Sequence, residues 1–285
     1  MLGHDVIAQR QRRGVMPEIL ITGGAGMIGR KLAAHFDTLG WPVRRLDIRN
    51  GGDDSVEIAD FADWDGGWVD RFAGVDTVVH LAANPDPEAS WSSIERDNID
   101  LTLNVYEAAV RHKVRRLIFA SSNWTMAGHR FESGPLSPTG EVSPVNAYGV
   151  SKWIGERLGK NYAEKHDLSV VCFRIGYCQH EEPNAPGPHM GWGIWGQQMW
   201  LSYRDLLQAY EKAVTAPDSL KFTVLNLMSD NEGMRWALGP TRDAIGYVPQ
   251  DSATPVETEE MARYRDALAG EEAQRRAIYK RTFGI

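Results

Sequence analysis

The 285-residue sequence predicts an α/β fold: a doubly wound parallel sheet covered by helices on both faces, followed by a small C-terminal cap. Three observations carry this reading. Short apolar runs recur along the first two thirds of the chain, amphipathic helical patterns separate them, and a glycine cluster marks the first strand-to-helix turn. Strands buried on both faces read as continuous apolar runs, and their alternation with helices is the pattern of a parallel sheet.

The elements follow in order. EILIT (18–22) is a strand, the glycines at 23, 24, 26 and 29 form a turn, and RKLAAHFDTLG (30–40) continues as a helix. VRRLD (43–47), DTVVHLA (76–82), RRLIFAS (115–121) and SVVCFRI (169–175) are further buried strands. Between them lie helices over Asn98 to Val110, with Ile99, Leu103, Tyr106 and Val110 on one face, and over Ala147 to His166. Residues 17–175 are thus read as a nucleotide-binding core. Beyond Ile175 the composition turns to Gly, Pro and Trp, and a stretch this long without periodicity is expected to be a binding loop. A helix near Tyr203–Val214, a strand near Phe222–Leu227 and a helix near Glu257–Leu268 complete residues 176–285 as a substrate-binding cap with returning core elements.

Composition narrows the function classes. With 31 Lys+Arg against 38 Asp+Glu, a net charge of −7 and no basic block, nucleic acid is not an expected partner. There is no apolar run long enough to span a membrane. Residues 1–16 lack the apolar core of a secretory signal and read as a disordered extension, with Met16 as an alternative start. Cys172 and Cys178 have no metal-ligand or disulfide spacing, which fits a reducing cytoplasm and no metal.

Two constellations carry chemistry. Gly23, Gly26 and Gly29 lie between a strand and a helix, where a pyrophosphate can approach bare backbone and the free N–H groups of the helix start. A tight turn alone would also explain the glycines. Asp47, at the end of the second strand, is placed to accept bonds from a ribose diol and to repel a 2′-phosphate, which favours NAD over NADP; Arg44, Arg45 and Arg49 around it work against that preference. Downstream, Ser121-Ser122-Asn123 ends a strand, and Tyr148 and Lys152 stand four apart on a helix. An ammonium beside a phenol lowers its pKa towards the range of a general base, and a serine hydroxyl can hold the substrate oxygen.

GGAGMIG, Asp47, Asp60-Phe61, VVHLAAN (78–84), Asn98 with Asn104, ASSN (120–123), YGVSK (148–152) and RIGYC (174–178) together resemble the extended short-chain dehydrogenase/reductases of the NAD-dependent epimerase/dehydratase family. The resemblance spans about residues 17–250 and looks most like the uronate dehydrogenases, which oxidise C1 of hexuronic acids with NAD to lactones. It implies a Rossmann sheet and assigns residues. Tyr148 is the base, Lys152 the cation that also meets the nicotinamide ribose, and Ser122 the orienting hydroxyl. Gly23, Gly26, Met27, Ile28, Asp47, Asp60, Phe61, Leu81, Ala82, Ala83, Asn98 and Ile175 meet the cofactor. Asn84, Asn123, Trp124, Tyr177, His189 and Trp195 border the substrate. The paired helices 98–110 and 147–166 resemble a homodimer interface.

The departures are equally specific. Uronate dehydrogenases place an arginine in the loop after RIG-x-C to meet the substrate carboxylate, whereas no Arg or Lys lies between Gly176 and Leu201. The candidates to replace it are Arg204, Arg235, Arg242 and His189. Trp124, Trp192, Trp195 and Trp200 either pack the cap or wall a pocket. The expected activity is NAD-dependent oxidation of a sugar or sugar-acid hydroxyl. A nucleotide-sugar epimerase or dehydratase, or a non-catalytic NAD-binding protein, is the alternative.

Overall fold

The computed structural model describes residues 16–179 and 183–283. The expected extension over residues 1–16 lies, apart from Met16, outside them. Seven parallel strands form one sheet in the order β3-β2-β1-β4-β5-β6-β7. They are β1 (Ile19–Thr22), β2 (Val43–Asp47), β3 (Val56–Ile58), β4 (Thr77–His80), β5 (Arg116–Ser122), β6 (Ser169–Ile175) and β7 (Phe222–Leu227). The strand order reverses between β1 and β4. In open α/β sheets ligands bind outside the carboxyl ends of the strands at that reversal.

Residues alternate between the two faces of the sheet, so each apolar run feeds both cores. Ile19, Ile21, Val79, Ile118, Val171 and Phe173 pack under helices α1 (Met27–Thr38) and α5 (Tyr203–Thr215) through Leu32, Phe36, Leu206 and Tyr210. Leu20, Val78, Leu117, Phe119, Val170 and Cys172 pack under α2 (Leu101–Arg111) and α3 (Ala147–Lys165) through Val105, Tyr106 and Tyr162. Close approach of α3 to the sheet depends on Gly155, where an added Cβ would fall 2.3 Å from the Phe119 ring. His35 joins the α1–α5 layer by a 3.0 Å bond to Glu211.

The structure differs from the sequence expectation in four places. The edge strand β3 was not foreseen, since it is three residues long and only Val56 is buried. The helix expected from Asn98 starts with a π-helical segment, Glu95–Asp100, and α2 then buries Leu101, Thr102, Val105, Tyr106, Ala108 and Ala109. Ile99 and Val110 are only half-buried and Leu103 is 38% exposed; the wider π turn rotates the face that meets the sheet. The loop after β6 contains a short helix, α4 (Gly193–Gln198), and its ends are tied by bonds from Tyr177 N–H to the Met199 carbonyl and from Leu201 N–H to the Tyr177 carbonyl. After β7 come α6 (Gly239–Ile245) and a 25-residue helix α7 (Glu259–Phe283), longer than its apolar pattern suggests. Among the described residues no helix is long and apolar enough to cross a membrane, and no His, Cys, Asp and Glu cluster could hold a metal. Cys172 and Cys178 are buried free thiols.

Candidate active site

A cleft of about 1750 Å³ runs along the carboxyl ends of the strands. It starts at the turn between β1 and α1. Gly23 has φ +72°, and a Cβ there would lie 2.8 Å from the Ala82 nitrogen, while one on Gly29 would lie 2.4 Å from the Gly23 carbonyl oxygen. These positions therefore exclude side chains and bring bare backbone to the cleft. Gly26 is the N-cap of α1 and makes no side-chain cap bond, so the helix start faces the cleft with its N–H groups available.

Asp47 closes this end. One of its oxygens accepts from the Ala25 N–H at 3.0 Å and the other from the Arg49 N–H at 3.3 Å. Arg44 is drawn to Glu18, and Arg45 to Asp53, so of the three neighbouring arginines only Arg49 lines the cleft. Asp60, Phe61, Leu81, Ala82 and Ala83 line it too, with Met27, Ile28 and Ile175. Asp60 is paired with Arg96, which also bonds Asp97 at 2.7 Å. Asn104 holds this wall by donating to the Phe61 carbonyl at 2.9 Å. The bare glycine turn, the free helix start and a strand-end carboxylate fit the pyrophosphate and diol of a dinucleotide such as NAD.

Asn98 was expected at the cofactor but does not line the cleft. It is buried in the π turn, where its side-chain oxygen accepts from the Asn84 N–H at 2.7 Å and its amide donates to the Asn84 carbonyl and the Ser151 hydroxyl, each at 3.1 Å. It fixes the Asn84 backbone instead. His80, below, bonds Thr22 at 2.7 Å and Thr102 at 3.1 Å. Burial and the nearby Lys152 hold its pKa down to about 3, so the ring is a neutral strut.

The middle of the cleft gathers Ser122, Tyr148 and Lys152. β5 ends on Ser122, and Asn146 starts α3 by accepting from the Gly149 N–H at 2.8 Å, a cap of about 1 kcal/mol that places Tyr148 in the first turn and Lys152 one turn on. The Lys152 ammonium lies 5.5 Å from the centre of the Tyr148 ring and 5.2 Å from that of Phe119. The expected lowering of the Tyr148 pKa is not what the structure shows. Burial pushes the phenol up to about 12, a hydrogen bond from Ser122 offsets this only in part, and burial draws Lys152 down to about 8. Desolvation disfavours both charged forms.

The far end is aromatic. Trp124, Trp192, Trp195, Tyr177, Phe131 and Tyr264 line it, with Asn84 and Asn123 between it and Ser122. Trp124 and Trp192 meet edge to face with ring centres 4.9 Å apart, and Trp195 meets Trp236 at 4.4 Å. Trp200 instead packs with Met190 and Ala253 away from the cleft lining. His189 is exposed and outside the lining, at the centre of a turn closed by a bond from the Met190 N–H to the Gly187 carbonyl. The arginines offered as cation are also engaged elsewhere: Arg204 with Asp251, and Arg235 with the Gly134 and His129 carbonyls, while Arg242 is exposed. Sequence reasoning missed Arg130, Phe131 and Tyr264, which line this end. Arg130 ends a short 3-10 helix, Asn123–His129, that follows Ser122 and is too short for its periodicity to give a signal.

Residues 19–188, more than half of the chain, match the model of the NAD dependent epimerase/dehydratase family. The chain belongs to this family. The chain is 38% identical over 265 residues to L-arabinose 1-dehydrogenase (NAD(P)(+)) of Haloferax volcanii, covering 85% of this chain and all of that one. It is 35% identical over 260 residues to the NAD-dependent glucose-6-phosphate dehydrogenase of the same organism, covering 82% and 94% of the two chains. The solved glucuronic acid dehydrogenase of Chromohalobacter salexigens superposes with a TM-score of 0.72 at 31% identity, covering 84% of this chain and 86% of that one. The seven-stranded parallel sheet is thus that of the family.

Proposed function

We propose that this protein is an NAD-dependent dehydrogenase that oxidises a hydroxyl, at C1, of a sugar or sugar acid such as a hexuronate to a lactone, with Tyr148 as general base. The observation that carries the reading is the convergence of Ser122, Tyr148 and Lys152 on one cleft between the glycine turn and an aromatic wall. Relatives named as dehydrogenases of arabinose, glucose 6-phosphate and glucuronic acid support it.

Gly23, Gly26, Met27 and Ile28 would hold the pyrophosphate, Asp47 the adenosine ribose, Asp60 and Phe61 the adenine side, and Leu81–Ala83 with Ile175 the middle of the cofactor. NAD, when bound, supplies the hydride acceptor. Ser122 donates to the substrate oxygen and orients it. Tyr148 as phenolate takes the hydroxyl proton as the carbonyl forms, and the Lys152 ammonium stabilises the phenolate. Asn84, Asn123, Trp124, Tyr177 and Trp195 wall the sugar and exclude water. The balance is one hydroxyl proton to Tyr148 and one hydride from carbon, leaving a lactone.

NADH formation with NAD against a panel of uronates, sugar phosphates and neutral aldoses tests the reading. Turnover that disappears in Tyr148→Phe is the expected result, and turnover surviving at the parental rate removes Tyr148 as base.

The same reading includes a homodimer. Leu103 on α2 and Trp153 on α3 are each 38% exposed on packed neighbouring helices, an apolar face suited to a two-fold helix interface. The two buried free thiols support a cytoplasmic setting.

A further inference from the structure

Arg130 stands at the aromatic end of the cleft, half-buried. Its Nη2 donates to the Trp192 carbonyl at 3.1 Å, and its guanidinium lies 5.0 Å from the Trp192 ring centre and 5.2 Å from that of Phe131. Other arginines of the fold are matched to carboxylates: Arg96 to Asp60 and Asp97, Arg174 to Glu156, Arg115 to Asp76, Arg204 to Asp251. Among the described residues no carboxylate forms an ion pair with Arg130; Glu132, on the same rim, pairs with His129. Burial lowers its pKa, and the neighbouring Tyr264 offsets this only in part. A desolvated cation held without an anion is costly unless the site gains from it.

The backbone beside it is also strained. Trp192 has φ +71° and ψ 7°, the left-handed region that a bulky side chain occupies at a cost of about 1–2 kcal/mol. That conformation presents the carbonyl to Arg130 and the indole edge to Trp124, two residues past Ser122. The result is a corner of two tryptophans with a fixed guanidinium, open to the cleft. One N–H of the fork is committed to the Trp192 carbonyl, and the others match a planar or tetrahedral oxyanion.

We infer that Arg130 is a specificity-determining residue that recognises an oxyanion, carboxylate or phosphate, on the sugar at the end remote from the oxidised carbon. The inference rests on the dehydrogenase reading for the identity of the substrate as a sugar, and not for the anion site itself.

The test compares kcat/KM for galacturonate against galactose, and for glucose 6-phosphate against glucose, in the parent, Arg130→Gln and Arg130→Lys. Arg130→Gln keeps an N–H donor for the Trp192 carbonyl and removes the charge. The anionic-over-neutral ratio is expected to fall about 30-fold in Arg130→Gln, mostly through KM, the size of a lost charge-assisted hydrogen bond, and less in Arg130→Lys. Which pair shows the fall separates carboxylate from phosphate. Equal loss for anionic and neutral sugars, or an unaltered ratio, overturns the inference and leaves Arg130 a brace for Trp192. If no sugar is turned over, tryptophan fluorescence of the NADH-mixed protein titrated with galacturonate and glucose 6-phosphate decides. Saturable quenching lost in Arg130→Gln keeps the anion site while the dehydrogenase reading fails; no quenching by either anion in the parent overturns the anion site.

Discussion

Glu156 and Arg174 face each other through two 2.8 Å hydrogen bonds, with side chains only 4% and 3% exposed. The same carboxylate accepts from Ser121 at 2.6 Å, so α3, β5 and β6 are joined directly behind Ser122 and one helical turn from Lys152. Removing one partner leaves a buried charge uncompensated. Glu156→Ala is expected to cost about 3–5 kcal/mol, read as a lower urea midpoint with an unaltered slope. A loss below 1 kcal/mol would mean that water replaces the carboxylate at little cost.

The pH profile follows from the two shifted groups at the cleft centre. In the proposed mechanism the active form has Tyr148 deprotonated and Lys152 protonated. With Tyr148 pushed up to about 12 and Lys152 down to about 8, the product of those fractions rises tenfold per pH unit up to about 8 and is then flat, because each gain in phenolate is matched by a loss of ammonium. Log kcat/KM should therefore bend near pH 8. In Lys152→Met the activity is lower at every pH and the bend disappears. A profile flat from pH 6 upward would contradict this assignment.

Gly29 tests the cofactor end. Gly29→Ala would drive a methyl group to 2.4 Å from the Gly23 carbonyl oxygen and 2.9 Å from the Gly24 Cα, both backbone atoms that cannot swing away. The expected outcome is a loss of NADH affinity of at least about tenfold, with a stability loss of about 1–3 kcal/mol from overpacking. Fluorescence titration with NADH measures the first and thermal melting the second.

Asp47 tests dinucleotide choice. Because Arg44 and Arg45 are drawn to Glu18 and Asp53, the carboxylate faces the cleft with Arg49 beside it. Asp47→Asn keeps an acceptor for the Ala25 N–H and removes the charge that repels a 2′-phosphate, so the NADP-over-NAD ratio of kcat/KM should rise about tenfold or more. An unmoved ratio would assign the discrimination elsewhere.

The proposed dimer face is tested by charge. Leu103→Glu together with Trp153→Glu places like charges on a two-fold surface, and light scattering should report a monomer where the parent is a dimer. A parent that is already monomeric at micromolar concentration overturns the interface.

The strands were legible as apolar runs: β6, buried at every position, and also β2 and the edge strand β7 occur at the boundaries read from the sequence. β3 was not, because one buried valine in three residues is no pattern. Within the site, the glycine turn and the Tyr148–Lys152 spacing are local, so sequence spacing reports them directly. The hydrogen bonds of Asn98 were not legible for the opposite reason: its partners, Asn84 and Ser151, are fourteen and fifty-three residues away. The role of Arg130 depends on Trp192, sixty-two residues on, and on a backbone angle that no residue preference announces. Tyr148 shows the further limit, since its pKa depends on how much water the fold removes and not on which residue lies one turn away.

The tied ends of the chain around α4 bear on how this scaffold can change. Tyr177 and Trp200 form a parallel bridge, and the hydrogen bonds of Tyr177 to Met199 and Leu201 return the backbone to the end of β6 where it left. A change in the length of the chain between those two residues carries only a small loop-closure entropy. Trp192 and Trp195 sit inside that segment, whereas Ser122, Tyr148 and Lys152 sit outside it. Under the proposed function, changes within this segment would reshape one wall of the sugar site, while Arg130 and the proposed catalytic residues lie outside it.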